Sequence, residues 1–278
     1  MDPSLGNVRL SGQVRASEGD ELLVVLHGLG GSTSSGYMGL ALTAAEVAGV
    51  SCLLLNVRGA DLSGEDISHA GLTDDIHGAL TSPAFAGYRR IYLLGYSLGG
   101  HLALAYGLGA ADPRVKSVAA LCSPLDLREA ATSFDGPRFS VYRKHVLRGL
   151  TDIYGATHAR RGGPLDIADA LRIRRLRDWD ERIVAPRFGF VDAADYYERA
   201  SAGARLRELS IPALYVGALG DPMVPASTVR GCLAAARGAV DVRWSERGGH
   251  LGFPSNLNLG LPGPLGLEAQ VLAWLRAQ

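Results

Sequence analysis

Cysteine is scarce in this sequence, long apolar runs are missing, and neither sign of charge prevails. The three cysteines among 278 residues are Cys52, Cys122 and Cys232. Widely spaced and odd in number, they match neither a disulfide framework nor a zinc-ligand pattern. Cys52 and Cys122 lie in strand-like runs, which predicts buried thiols. No apolar stretch approaches the ~20 residues of a membrane span. The first ten residues, MDPSLGNVRL, lack the basic-then-apolar signature of a secretory leader, so a cytoplasmic location is the expectation. The 28 basic and 28 acidic side chains cancel, leaving no strong general field for nucleic acid or anionic lipid. Internal repeats and low-complexity segments are absent too.

What is present is enough apolar content, 47%, to fill a substantial core. Short runs rich in Val, Leu, Ile and Tyr recur: ELLVVLHG (21–28), SCLLLNVRG (51–59), RIYLLGYS (90–97), VKSVAALCS (115–123), PALYVGALG (212–220) and VDVRWSE (240–246). They lack clean polar alternation, which suits strands covered on both faces of a parallel sheet. Between most of them lie helical patterns, YMGLALTAAEVAG, TDDIHGALTSP and LGGHLALAYGLGA, and a last one, LGLEAQVLAWLRAQ, closes the chain. The alternation predicts a doubly wound α/β fold. From Pro124 to Ala204 it breaks, and charged helix-compatible pieces take over. The expectation is an α/β core from 1–123 and 205–278, with a helical cap inserted at 124–204. The run Arg172, Arg174, Arg175 and Arg177 in that insertion reads as a solvated helix face rather than an anion site, having no Gly-rich or aromatic partner motif.

At residues 95–99 the run GYSLG stands between a buried strand and a helix. G-x-S-x-G in that setting is a nucleophile elbow. The turn is so tight that a Cβ at Gly95 or Gly99 would clash, and it lifts the Ser97 hydroxyl off the sheet edge. The helix that follows aims its N-terminal N–H groups at the place where negative charge develops. Serine needs a base, and the base an orienting acid. In this motif class the chain order is Ser, acid, His. Asp221 follows one strand in GALGDPMVP, and His250 follows the next in SERGGHLGF. Both fall at strand ends, where open α/β sheets place their sites. The N–H groups of Leu98 and of Leu29, in the loop His27-Gly28-Leu29-Gly30-Gly31, are the expected oxyanion donors.

Other polar residues read as structural. His101, four residues after Ser97, stacks one helical turn along, where packing or a structural hydrogen bond is expected. His69, Asp74, Asp75 and His77 match no metal-ligand spacing. Thr73-Asp74-Asp75 reads as a helix cap with acids in the first turn. Asp192 and Asp195 suit an N-cap and a first-turn acid. Asp126, after the strand that follows the elbow strand, is the competing position for the acid.

The blocks HGLGGS, LNVRG, HAGLTDDIH, GYSLGGHLALAY, CSPLDL, APRFGFVDAADYYERAS, GDPMVP and GGHLGF occur in one order. In this the chain resembles the YheT-like group of α/β-hydrolases, which includes the plant embryogenesis-associated hydrolases. FGFVDAADYY is the most group-specific block. The resemblance implies an α/β-hydrolase fold with a cap and carboxylic-ester hydrolase activity, and maps nucleophile, acid and base to Ser97, Asp221 and His250. The chain departs from the group in its short N-terminal region and in His101, where a small polar residue such as Asn is usual. The expectation is a serine esterase acting on a small-molecule acyl ester without cofactor or metal. An acyltransferase or thioesterase with the same triad, or a ligand-binding protein that lost catalysis, are the alternatives.

Overall fold

The computed structural model describes residues 6–278; the first five, part of the stretch assessed above for a leader, lie outside the described residues. Seven strands form one sheet: β1 (Gly12–Arg15), β2 (Glu21–Leu26), β3 (Ser51–Leu55), β4 (Arg90–Tyr96), β5 (Val115–Leu121), β6 (Ala213–Ala218) and β7 (Val240–Ser245). Their spatial order is β1-β3-β2-β4-β5-β6-β7, with β1 antiparallel to β3 and all other pairs parallel. Each apolar run of the sequence became a parallel strand. The helices of the alternating part are α1 (Gly36–Val47), α2 (Asp74–Leu80) and α3 (Leu98–Leu108).

The uninterrupted apolar runs are explained by burial on both faces. Along β2, Leu22, Val24 and Leu26 pack with Ile76 of α2 and Leu102 of α3, whereas Leu23 and Val25 pack with Met38 of α1. The sheet register then aligns the carboxyl ends. Leu26 pairs with Gly95, Tyr96 with Leu121, and Leu121 with Val216. The residues just past β2, β4 and β5 therefore share one edge, the place where doubly wound sheets build their sites.

Between β5 and β6 the chain is helical: α4 (Leu127–Phe134), α5 (Ser140–Arg161), α6 (Ile167–Ala170), α7 (Leu176–Trp179), a π-turn (Asp180–Val184), α8 (Ala185–Phe188) and α9 (Ala193–Ala200). After it come α10 (Ala226–Ala235) and α11 (Leu267–Arg276). The insertion has an apolar cluster of its own around Tyr154, Trp179 and Tyr197, which also takes in Ile67 and Ala70 from the core loops. A buried ionic network fastens it down. Arg58, just past β3, grips Asp75 through Nε and a second guanidinium nitrogen at 3.1 and 2.6 Å, and Asp66 at 3.4 Å. Arg187 of α8 reaches the same Asp66 at 2.8 and 2.6 Å. Removing one partner from such a buried set costs about 3–5 kcal/mol, because the other charge is left unpaired.

That network revises one expectation. Thr73 is the N-cap of α2 but makes no side-chain cap hydrogen bond, and Asp75 is buried against Arg58 rather than serving only as a first-turn acid. The other capping readings hold: Asp192 accepts from the Asp195 N–H at 2.8 Å. Arg172, Arg174, Arg175 and Arg177 are exposed, but they do not form a helix face as expected: the first three lie in the turn between α6 and α7, and only Arg177 is helical. Among the described residues no helix is long and apolar enough to cross a membrane.

Candidate active site

Ser97 sits between β4 and α3 with φ 51° and ψ −120°, a conformation costly for any residue with a Cβ. The surrounding structure enforces it. Ser97 N–H donates to Leu121 O at 2.8 Å, and Ser97 O accepts from the Gly100 N–H at 3.0 Å. The flanking glycines are obligatory. A Cβ on Gly95 would lie 2.1 Å from Gly99 O, and one on Gly99 would lie 2.3 Å from Leu26 O. Both obstacles are backbone, which has no rotamer to yield.

Leu98 is the first residue of α3, so its N–H has no partner one turn earlier and points out of the helix end. The second expected donor lies in the loop after β2. His27 holds that loop: its Nδ1–H donates to Gly28 O at 2.8 Å, and its Nε2 accepts the Val57 N–H at 3.1 Å. The two contacts fix one neutral tautomer, and burial pushes the ring's pKa down to about 4. Gly28 N–H donates to the Tyr37 hydroxyl at 3.0 Å, and a Cβ on Gly28 would come within 3.2 Å of the Ser97 Cβ. Loop and elbow thus touch.

Asp221 lies three residues past β6, and its Oδ1 accepts two backbone N–H groups, from Met223 at 2.7 Å and Val224 at 2.9 Å. His250 stands beyond β7 in a Gly-rich turn, its Nδ1 at 2.9 Å from Asp221 Oδ2 and 3.1 Å from Oδ1. With a carboxylate on Nδ1, that nitrogen carries the proton and Nε2 keeps a free lone pair. Ser97, Leu29, Leu98 and His250 all line one cavity of about 320 Å³. Asp126 takes a different part. It is the N-cap of α4, accepting the Glu129 N–H at 2.9 Å.

Three further histidines singled out in the sequence are structural. His101 is fully buried, with Nδ1 at 2.8 Å from Pro124 O and Nε2 at 2.8 Å from Ala200 O, so it ties α3 to both ends of the insertion. His69 packs against Phe188, ring centroids 4.4 Å apart, and its Nδ1 accepts the Gly71 N–H at 3.1 Å. His77 meets the Tyr106 hydroxyl at 3.1 Å. Each therefore has its own partner.

Two residues went unrecognised in the sequence. Cys122, expected to be buried and indeed so, has φ 48° and brings its thiol within 4.8 Å of both the Asp221 carboxylate and the His250 ring. Burial and the Asp221 charge push its pKa up to about 12, which keeps it a neutral thiol. The second is Asp180, in the wall that the insertion contributes to the cavity. It is 7% exposed, and its Oδ2 accepts the Tyr197 hydroxyl at 2.6 Å. Nothing in the string DWDERI sets this acid apart from its charged neighbours.

A turn that strains a serine at a central strand end, opposite a carboxylate-bound histidine, is the arrangement of an α/β-hydrolase. The family profile described as the alpha/beta hydrolase fold matches residues 21–257, and the chain belongs to that family. Within it, the chain is 29% identical to YheT of Escherichia coli (strain K12), by name an inferred esterase, across 91% of this chain and 76% of that protein. It is 27% identical to the embryogenesis-associated protein EMB8 of Picea glauca, and 26% identical to a monoacylglycerol lipase of Saccharomyces cerevisiae. Those alignments take in 84% and 76% of this chain but span only 53% and 50% of the two relatives. Among solved structures, a Pyrococcus furiosus esterase superposes with a TM-score of 0.57 at 13% identity, covering 88% of this chain and 81% of that one. At that identity the likeness speaks for the fold alone.

Proposed function

We propose that the protein is a serine hydrolase of carboxylic esters, working through Ser97, His250 and Asp221 and an acyl-enzyme. The observation that carries the reading is the Asp221–His250 pair at 2.9 Å, with its imidazole lining the same cavity as the strained serine. His250 Nε2 takes the Ser97 proton as Oγ attacks the acyl carbon. The carbonyl oxygen gains the negative charge and is held by the Leu29 and Leu98 N–H groups. His250 then protonates the departing alkoxide. Water enters, gives its proton to His250, attacks the acyl-enzyme, and Ser97 recovers its proton as the acid leaves. Asp221 holds the tautomer and stabilises the imidazolium throughout.

The esterase and lipase names among the relatives support an ester as substrate. Residues 124–204 are read as a cap that shapes the acyl pocket above the sheet edge. Because water enters last, an alcohol acceptor in its place would turn the same groups into an acyltransferase, and product analysis with added alcohols separates the two. The test of the mechanism is labelling. A fluorophosphonate should modify Ser97, located by peptide mass, and Ser97→Ala should abolish both labelling and ester hydrolysis. Modification of a different serine would refute the reading.

A further inference from the structure

The cavity's two walls differ. The core wall holds Ser97 and His250, whereas the insertion wall is built largely from apolar side chains such as Phe134 and Leu176, with Asp180 set among them. Asp180 opens a π-turn, a local widening of the helix that frequently marks functional positions. Its surroundings are incomplete for a carboxyl. Among the described residues no cation pairs with it, and the Tyr197 hydroxyl is its one hydrogen-bond partner. Neighbouring Asp135 is a useful contrast: it accepts the Leu176 and Arg177 N–H groups and faces Arg143 at 3.9 Å. A buried carboxyl left with one donor lowers the stability of the fold, and a group on a ligand can complete it.

We propose that Asp180 is a specificity residue that anchors a hydroxyl group carried by the substrate away from its scissile bond. This rests on the esterase reading for the identity of the substrate. A hydroxyl fits better than an ammonium group. Burial, with the Asp135 charge adding to it and the Tyr197 hydrogen bond opposing, raises the pKa of Asp180 to about 7, so near neutrality the neutral acid is well populated. A neutral acid both donates and accepts, as a hydroxyl does, whereas an ammonium only donates. Apart from His145 and the two tyrosines Tyr196 and Tyr197, the remaining insertion wall is apolar and suits the hydrocarbon between hydroxyl and ester.

Matched ester pairs test this. One pair carries the difference on the alcohol side, 2-hydroxyethyl hexanoate against propyl hexanoate. The other carries it on the acyl side, methyl 6-hydroxyhexanoate against methyl heptanoate. In at least one pair the wild-type protein should prefer the hydroxylated ester in kcat/KM by about tenfold or more, the scale of one satisfied buried hydrogen bond. Asp180→Leu should erase that preference through KM while leaving the plain ester within about threefold. Asp180→Asn, which keeps one donor and one acceptor, should retain it. Equal loss on both members of a pair would mean a structural role and overturn the proposal. So would a wild-type preference for methyl 6-aminohexanoate with none for either hydroxylated ester. Calorimetric binding of the same esters to Ser97→Ala, with and without Asp180→Leu, reads the anchor independently of turnover. If the wild type hydrolysed nothing but Ser97→Ala still bound the hydroxylated ester more tightly in an Asp180-dependent way, the esterase reading would fall and the anchor would stand. Absence of that binding difference would remove the anchor.

Discussion

Asp221→Asn separates orientation of the histidine from every other contribution of this residue. The asparagine keeps an oxygen where Oδ1 now accepts the Met223 and Val224 N–H groups at 2.7 and 2.9 Å, so the turn after β6 should survive. Its NH₂ then faces His250 Nδ1, which must turn from donor to acceptor. The ring proton moves to Nε2, the atom that accepts the Ser97 proton in the proposed mechanism. Loss of the correct tautomer and of the imidazolium's counter-charge costs on the order of 10⁴ in kcat, about 5.4 kcal/mol of barrier. The midpoint of urea unfolding should barely move. Asp126→Asn is the control, since asparagine caps a helix about as well as aspartate. It should keep kcat within about tenfold, ~1.4 kcal/mol. Initial rates on a short-chain ester, with circular dichroism to confirm folding, decide the matter. The reverse pattern, with Asp126→Asn inactive and Asp221→Asn active, would refute the assignment of the acid while leaving Ser97 and His250 in place.

Two further outcomes follow from the geometry. Gly99→Ala forces a Cβ to 2.3 Å from Leu26 O and 2.6 Å from His27 O, so it should cost ~3 kcal/mol or more in denaturant unfolding, beyond ordinary overpacking; a fully stable, active variant would contradict the elbow geometry. Acid should destabilise the fold through His27 and His69, whose pKa values burial lowers from 6.5 to about 4. Above pH 6.5 folded and unfolded chains are both neutral at these rings, so their contribution is intact; as pH falls toward 4 the unfolded chain takes the protons first and stability is lost, by up to ~3 kcal/mol per ring. His69→Gln should lose less stability than the wild type between pH 7.5 and 5, and an unchanged acid sensitivity would exclude this cause for His69.

Most of the sheet was legible because a buried parallel strand leaves a run of apolar residues between turn-formers, as in LLVVL of β2, CLLL of β3 and VAALC at β5, although β7, VDVRWS, is interrupted by Asp241 and Arg243. β1 left none. Its four residues, GQVR, are all exposed on an antiparallel edge, where nothing demands an apolar run. Ser97 and its glycines were legible because the elbow needs particular residues at particular spacings. Asp221 and His250 could be placed by chain order, but not Asp180 or Cys122. Those two depend on which side chains the insertion and the ends of β5 and β6 bring together. Such partners stand far apart in sequence, Tyr197 seventeen positions from Asp180 and Asp221 further still from Cys122. Asp75 shows the same limit: its local context reads as a helix cap, and only the fold reveals Arg58 at 2.6 Å.

The place of Cys122 bears on why the carboxylate at His250 comes from the strand after β5. The ends of β5 and β6 are neighbours, with Leu121 paired to Val216 and the Cys122 N–H donating to Val216 O at 2.8 Å. Either strand end can therefore face the histidine loop. A second carboxylate at the Cys122 position would sit within a few ångströms of Asp221, and like charges at that range raise the pKa of one of the pair. A thiol held protonated by burial adds no charge. Asp126, the remaining acid of the β5 side, is carried past Ser123 and Pro124 and used on the α4 N–H groups instead. The division leaves one carboxylate at the imidazole, with two backbone N–H groups fixing its Oδ1 and a neutral sulfur beside it.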